Sequence, residues 1–428
     1  MRLIRPGIFL LVLGSLAATG CRKTPQEVER PERIQSKRVV FYDSTTYAKL
    51  ARLWEKYYDA YPSEDAYANW MYAAFYADFK DVASMIDKGL AMYPANPALL
   101  DLAARSKNWG HHSLEGRQLL EKATRLDPSY IEPWVSLAVE YIVQGDRENA
   151  DVALRHMLDG GAVDDAVMDF NYNMIASLDT NAILITNGDN DTFPGWILTR
   201  IIRFRPDVMV VNRSLLNLKD YAEAVMKGGA PTFASITELD SLMNQKSSWV
   251  ENEHPGKGPV RWVMTVGDRL VERLINACDR VGRPVYLACT VENYGLWKER
   301  EGTSTNLGLV TLVTASKTSA AEHIRRVLKI WATEYRAGGL DSWQLHASGP
   351  ASASRALVSN YAAGLHSLMP QIESAGSDVQ IELFRWYRSH VMDLLDKKFV
   401  DQANSMWFGR NRPKEIMNWA RAKGWTGD

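Results

Sequence analysis

Between residues 40 and 175 the apolar positions recur at helical spacing, and the pattern breaks at Tyr61-Pro62, Tyr93-Pro94 and Asp127-Pro128, 32 and 34 residues apart. A period of that size predicts stacked helix pairs, each with an apolar face that only a neighbour can cover. From residue 180 the period changes. An apolar run at 182–185 is followed by a polar turn, an amphipathic stretch at 196–204, the breaker Arg205-Pro206-Asp207 and a second apolar run at 208–211. Strand, turn, helix and strand within thirty residues predict a βαβ unit with parallel strands. Thr192 or Asp191 is expected to cap that helix and Pro194 to sit in its first turn. Leu270, Val271, Leu274, Ile275 and Cys278 then share one face of a helix at 266–281, which Gly282-Arg283-Pro284 ends; strands are predicted at 285–291 and 309–313. Helical patterning returns at 321–335, 353–368, 379–395 and 414–423, with loops at 338–339 and 346–352.

The fold class read from this is α/β plus α: a helical repeat array at 40–175, a mostly parallel α/β domain at 176–316 and a helical region at 317–428. The third repeat resembles the tetratricopeptide repeat, with Trp134, Leu137 and Tyr141 on its first helix, Gly145-Asp146 at the turn, and Ala150 and Leu154 on the second. Ala103, Ala104, Leu120 and Ala123 mark the unit before it, and Trp70, Ile86 and Gly89 the first. Such arrays present a concave face that binds peptides or helices, so a protein partner is expected there; packing support for the next domain is the alternative.

Residues 1–21 stand apart from the fold. Arg2 and Arg5, an apolar stretch at 8–13 and the small residues Ala17-Ala18-Thr19-Gly20 lead to Cys21, the layout of a secretory signal. It resembles the bacterial lipobox, which implies lipidation at Cys21, a membrane contact through that lipid and a place in the cell envelope facing the periplasm. Ala18 departs from the usual Leu, and Arg22-Lys23 after the cysteine favours the outer membrane. Cys278 and Cys289, eleven residues apart, are expected as two buried thiols, since a helix end and the following strand hold them too far apart to join.

Composition removes several classes. Fifty Lys and Arg against 51 Asp and Glu give a formal charge of −1, which offers no global field for nucleic acid, and no nucleic-acid partner is expected. The 14 Trp are expected chiefly in cores and helix grooves. His111-His112 and His156 lack an acidic cluster and read as surface histidines. No phosphate loop, nucleophile elbow, metalloprotease helix or paired-cysteine metal site occurs, and no catalytic residue is assigned.

The chemistry concentrates in the turn Thr186-Asn187-Gly188-Asp189-Asn190-Asp191-Thr192-Phe193-Pro194, at the carboxyl end of a predicted strand, where sheets of this kind place ligands. Three readings compete. Asp189 and Asp191 resemble the Asp-x-Asp with which many glycosyltransferases hold a divalent ion, although helical repeats stand here in place of those enzymes' upstream nucleotide-binding half. Alternatively, Asp189, Asn190, Asp191, Thr192 and Trp196 form a polar-ligand site at a helix N-terminus. The third reading is structural, with Asp191 capping the helix and Asp189 bonding turn amides. Arg200, Arg203, Arg205 and Arg213 are expected to pair with nearby carboxylates.

That turn with Trp196, together with Arg205-Pro206-Asp207-Val208, Val210-Val211-Asn212 and Ser214-Leu215-Leu216-Asn217, resembles the soluble C-terminal part of the domain-of-unknown-function 2723 family, membrane proteins related to a protein O-mannosyltransferase. Arg283-Pro284-Val285-Tyr286 and Glu301-Gly302 extend the likeness to about residues 180–315. Gly195 replaces a large apolar residue of that family, Thr199-Arg200 its Gln-Glu, and Asp220-Tyr221 an aromatic pair. The family's transferase chemistry belongs to a multi-spanning part with no counterpart in this sequence, so the resemblance implies a fold and a surface rather than an activity. The expected function is a lipid-anchored extracytoplasmic binding or scaffold protein, a binding role being favoured over an enzymatic one, with the repeat face for a protein and the α/β domain as second surface. The alternative is a glycan-handling protein in which Asp189 and Asp191 hold a divalent cation, the one cofactor considered.

Overall fold

In a computed structural model of the chain the described residues are 28–107, 113–245, 247–254, 258–291, 303–314, 318–349, 352–395, 407–408 and 412–423, without the side chains of 249–262. Cys21 and the leader, His111-His112, Glu301-Gly302 and Trp425 lie outside them.

Helix α1 (Ser44–Ala60) leads into three pairs: α2 (Glu64–Tyr76) with α3 (Val82–Met92), α4 (Pro97–Lys107) with α5 (Leu114–Leu126), and α6 (Ile131–Val143) with α7 (Arg147–Asp159). An eighth helix, α8 (Asp165–Ala176), continues the array. Side chains set the starts: Asp43 accepts the Thr46 N–H, Ser63 that of Ala66, Ser113 that of Gly116, Asp146 that of Asn149 and Asp164 that of Val167. Each cap satisfies a first-turn amide that the helix leaves unbonded and is worth about 1 kcal/mol. His156 stacks on Trp134 with ring centroids 3.8 Å apart, a packing use for the one described histidine of the three singled out above.

Strands β1 (Ile183–Thr186), β2 (Met209–Asn212), β5 (Val285–Ala288), β6 (Thr305–Asn306) and β7 (Val310–Leu312) form one sheet in the order β2-β1-β5-β7-β6. The first three are parallel, with Ile183 opposite Met209 and Val285; β7 runs antiparallel to β5, so the sheet is mixed. Every residue of β1 and β5 is buried, as continuous apolar runs in covered parallel strands require. Helix α9 (Asp189–Trp196) and a π turn (Ile197–Ile201) cross from β1 to β2. Beyond β2 come α10 (Lys219–Lys227) and α11 (Ile236–Met243), then an antiparallel hairpin, β3 (Ser248–His254) and β4 (Gly258–Met264), none of which the apolar pattern announced. Helix α12 (Val266–Val281) ends at Gly282, whose φ of +69° is the left-handed conformation that a glycine adopts without strain.

The C-terminal helices α13 (Ala320–Lys329), α14 (Trp343–Ala347), α15 (Ala353–Ser367), α16 (Met369–Ser374) and α17 (Ser377–His390), with a last one at Lys414–Ala422, cover the sheet rather than extend the repeats. Trp331 donates its indole N–H to the Leu307 carbonyl at 3.0 Å, and Asn173 on α8 donates to the Tyr361 hydroxyl at 3.0 Å. Trp331 and Trp407 are fully buried, in line with core use, whereas Trp343 is 74% exposed. Cys278 is buried, whereas Cys289, the first residue past β5 and still bonded through its N–H to the Leu309 carbonyl, is exposed as a residue; burial nevertheless pushes both thiols up, to about 11 and about 12.

Two apolar cores result. The smaller joins Tyr47, Tyr67, Met71, Ile86, Leu99 and Ala103; the larger runs from Ala104 and the third repeat through the sheet to Ile416. The division falls inside α4, so the third repeat shares its core with the sheet.

Candidate functional site

At the carboxyl end of the parallel strands the chain leaves β1 toward β2 on one side while β5 lies on the other, the switch point at which such sheets open a crevice. Here it is filled by the turn at 187–192. Helix α9 begins at Asp189, with Gly188 as N-cap, so Asp191 stands at the third helical position and reaches back instead of serving as the cap itself. One carboxylate oxygen accepts the Gly188 N–H at 2.7 Å and the other the Asn187 N–H at 2.9 Å. The Thr290 hydroxyl, from the segment after β5, donates to the same group and closes the crevice. Burial pushes the Asp191 carboxyl above its ordinary value, and these three donors oppose the shift.

The earlier helix start also moves Pro194 from the expected first turn into the helix interior. Having no N–H, Pro194 leaves the Asn190 carbonyl without its helical donor, and the Asn171 side-chain amide on α8 supplies one at 2.8 Å. At the next residue a Cβ on Gly195 would lie 3.3 Å from both Val210 methyl groups, so a side chain there would require Val210 to shift.

Thr192 is buried, its hydroxyl 2.7 Å from that of Thr186 and bonded to the Asn212 side-chain amide at 2.9 Å. Trp196 is 4% exposed and donates to the Val210 carbonyl at 3.0 Å. Asp189 alone faces outward, its side chain 62% exposed and paired with Arg38 at 2.7 Å. The fold therefore gathers Asp189, Asn190, Asp191 and Thr192 in one turn, with Trp196 at the far end of α9, but aims the polar atoms of Asp189, Asp191, Thr192 and Trp196 apart. Asp189 and Asp191 do not converge as a ligand pair, because a carboxylate at the third helical position is drawn to the amides of its own turn. Among the described residues no group of three or more His, Cys, Asp or Glu is arranged to hold a metal ion.

Three of the four arginines pair as expected: Arg200 with Asp151 at 2.7 Å, Arg205 with Asp207 at 2.8 Å, and Arg213 with Asp268; among the described residues no carboxylate pairs with Arg203. Arg205 has a φ of +50°, a strained conformation that its bonds to Asp207 and to the Leu178 and Asp179 carbonyls hold in place. Arg203, also at positive φ, borders a cleft of about 810 Å³ between the α6–α7 turn and the edge of β2, floored by Trp196, Met209 and Val210. This cleft does not include the acidic turn.

A second polar constellation lies on the first helices of the repeat pairs, and the sequence pattern did not single it out. Asp65, Asn69, Tyr72 and Tyr76 form a stripe at steps of four, three and four along α2; Asp101 and Arg105 continue it on α4, and Glu132 at the start of α6. Residues 30–38, an arm preceding α1, run across this stripe. Arg30 pairs with Asp65 at 2.7 Å, the Ile34 N–H reaches the Asn69 side chain at 3.4 Å, and the Lys37 N–H donates to the Tyr72 hydroxyl at 2.9 Å. The Lys37 ammonium sits 4.7 Å above the Tyr76 ring, and the Ser36 hydroxyl donates to Glu132. Arg105 bridges Asp101 at 2.9 Å and Glu132 at 2.6 Å, and Arg38 joins Glu132 at 3.6 Å to Asp189. Burial pushes the Glu132 carboxyl up, but Arg105, Arg38 and Ser36 together hold it below its ordinary value; Asp101, fully buried, is raised by burial despite Arg105. The available signal was the pairing of acids and tyrosines at helical spacing with the basic run Arg30, Arg33, Lys37 and Arg38.

No helix among the described residues is long and apolar enough to cross a membrane. The chain was compared with curated proteins, and none of them matches. A protein-family model described as TMEM260-associated domain 2 matches residues 167–234, from α8 through β1, the acidic turn, α9 and β2 to just beyond α10. The matched unit begins inside the last repeat helix, the same helix whose Asn171 completes α9, so this segment is similar to a TMEM260-associated domain and joins the repeats to the sheet.

Proposed function

We propose that the protein is a lipid-anchored, extracytoplasmic binding or scaffold protein whose repeat groove receives a protein partner and whose α/β region, with the cleft beside β2, offers a second surface. The observation that carries this reading is the groove, across which residues 30–38 run without helix or strand up to Ser36 and then turn over 37–39, held through both side-chain and main-chain bonds. Peptide-binding grooves combine these two kinds of contact, the main-chain bonds giving general affinity and the side-chain sites selectivity.

Arg2, Arg5, the apolar stretch and the small residues before Cys21 support export and lipidation, with the periplasmic side of the cell envelope as location and the outer membrane favoured. The resemblance to the soluble part of the domain-of-unknown-function 2723 family adds a fold and a surface without adding an activity. The alternative glycan-handling role, with Asp189 and Asp191 on a cation, draws no support from a turn in which one carboxylate is committed to amides and the other to Arg38.

The test is capture from an envelope extract by the immobilised full chain, wild type beside Glu132→Gln. A specific protein held by the first and lost by the second is the expected result; nothing captured by either, or equal capture, rejects the groove as partner face. Detergent partitioning of wild type and Cys21→Ser reads the anchor separately, and equal partitioning rejects it.

A further inference from the structure

The groove is occupied by the chain's own arm, and the contacts define what it selects. Every side chain of the arm that meets the helix stripe through a charge is a cation: Arg30 at Asp65, Lys37 over Tyr76, and Arg38 at Glu132. Between them the groove bonds main-chain amides, that of Ile34 at Asn69 and that of Lys37, at the start of the turn, at Tyr72, bonds that do not depend on side-chain identity. The hold is uneven along the arm. At one end Arg30 and Asp65 are both more than half exposed, where an ion pair contributes little; at the other, Val39 and Val40 are stapled to Ser352 and Ala353. Glu132 keeps a second cation, Arg105, whatever Arg38 does, so the arm can leave without stranding a buried charge.

We infer that residues 30–38 are a built-in occupant of the partner groove, and that the partner is a basic protein segment that takes the same path, ending in a turn, and displaces them by making the same contacts. This deepens the reading of the groove as partner face and rests on it. The arm then acts as a competitor in cis. A tethered segment is present at a local concentration on the order of millimolar, so a free segment must outcompete it, and only a sequence with equal or better contacts succeeds. Displacement is also felt elsewhere: Arg38 holds Asp189 as well as Glu132, so removing the arm frees the one outward carboxylate of the acidic turn.

The experiment uses the full chain and, as probe, a fluorescein-labelled synthetic peptide with the sequence of residues 28–40. Polarisation is measured against wild type and against Arg30→Ala/Lys37→Ala, two substitutions at the surface of the arm that leave the buried Glu132 cluster intact. The peptide should bind the variant about three- to tenfold more tightly than wild type, as weakening of a cis competitor by two exposed contacts requires. A peptide with its Arg and Lys replaced by Glu should bind neither. A second measurement needs no variant: excess unlabelled peptide should accelerate hydrogen exchange at the wild-type Ile34 and Lys37 amides. Equal affinity for both chains, or peptide binding that leaves those amides unchanged, overturns the inference. A doubling of mass in the variant overturns the cis arrangement in favour of arms exchanged between two copies. The two readings fail separately. A partner captured equally by wild type and variant, and not displaced by peptide, sinks the inference and leaves the scaffold; peptide exchange without any captured partner does the reverse.

Discussion

Glu132 and Asp191 are both buried carboxylates, and they behave in opposite ways. Glu132 faces two guanidiniums and a hydroxyl brought from elements 27 to 96 residues away. Asp191 faces only neutral donors, two of them amides three and four residues before it in its own turn. The difference separates a junction from a knot. Partners from distant segments can exchange, and the Glu132 cluster has the charge balance to tolerate it; the two amide bonds of Asp191 come with the turn and release nothing, and its distant partner, Thr290, is a neutral hydroxyl. An acidic motif that draws the eye in the sequence is thus architecture, while a glutamate in an ordinary repeat helix sits where recognition can occur.

The sharpest break of this comparison lies within the acidic turn. Asp191→Ala leaves two part-buried amides and a hydroxyl unbonded and should cost about 2 to 3 kcal/mol in chemical denaturation, whereas Asp189→Ala, which removes an exposed pair, should stay within about 0.5 kcal/mol. Comparable losses at both positions would mean that Asp189 is held as Asp191 is. On the other side of the comparison, Glu132→Gln should cost about 2 kcal/mol, less than a stranded buried pair because Arg105 keeps Asp101, and should speed exchange at the Lys37 amide. A slower arm in that variant would remove Glu132 from the account.

The link between repeats and sheet gives a smaller, more diagnostic effect. Asn171→Ala should cost about 1 to 2 kcal/mol by orphaning the Asn190 carbonyl, and much less in a Pro194→Ala background, where residue 194 regains an N–H for that carbonyl. Additive losses would show that Asn171 acts elsewhere.

Acidity separates the two carboxylates by sign. The folded value of Glu132 lies below its ordinary 4.5, so its contribution is present above pH 4.5 and lost as pH falls through the folded value. Asp191 is raised above 3.8, so its contribution is present below pH 3.8 and lost as pH rises through the folded value. Acidification below pH 4.5 should therefore lower the protection factor of the Lys37 amide while those of Asn187 and Gly188 hold or rise. Parallel loss at all three would erase the distinction.

Much of the architecture was legible in local pattern. Trp134, Leu137, Ala150 and Leu154 mark a helix pair because small and large residues alternate where helices meet, and the apolar face of α12 followed by Gly282 carries its own stop signal. The βαβ unit was equally plain. What escaped depends on distance or on a shift of a few residues. Moving the start of α9 to Asp189 changes Asp191 from a cap to a brace and Pro194 from a tolerated residue to one that needs Asn171. The pairing of Ser36 and Arg38 with Glu132 spans more than ninety residues and follows no period. Trp343, exposed, and Trp331, buried, look alike in sequence because only tertiary packing distinguishes them.

The central claim, that recognition belongs to the groove and the acidic turn is architecture, is tested most directly by polarisation with the arm-sequence peptide. The receptor is the Arg30→Ala/Lys37→Ala chain carrying either Asp189→Ala or Glu132→Gln. Adding Arg38→Ala to both receptors keeps the cis arm's charge off Glu132, and the account then predicts affinity within about twofold for Asp189→Ala, an exposed partner of the peptide's arginine, and at least about tenfold loss for Glu132→Gln, the buried one. The reverse order, or equal loss, would contradict it.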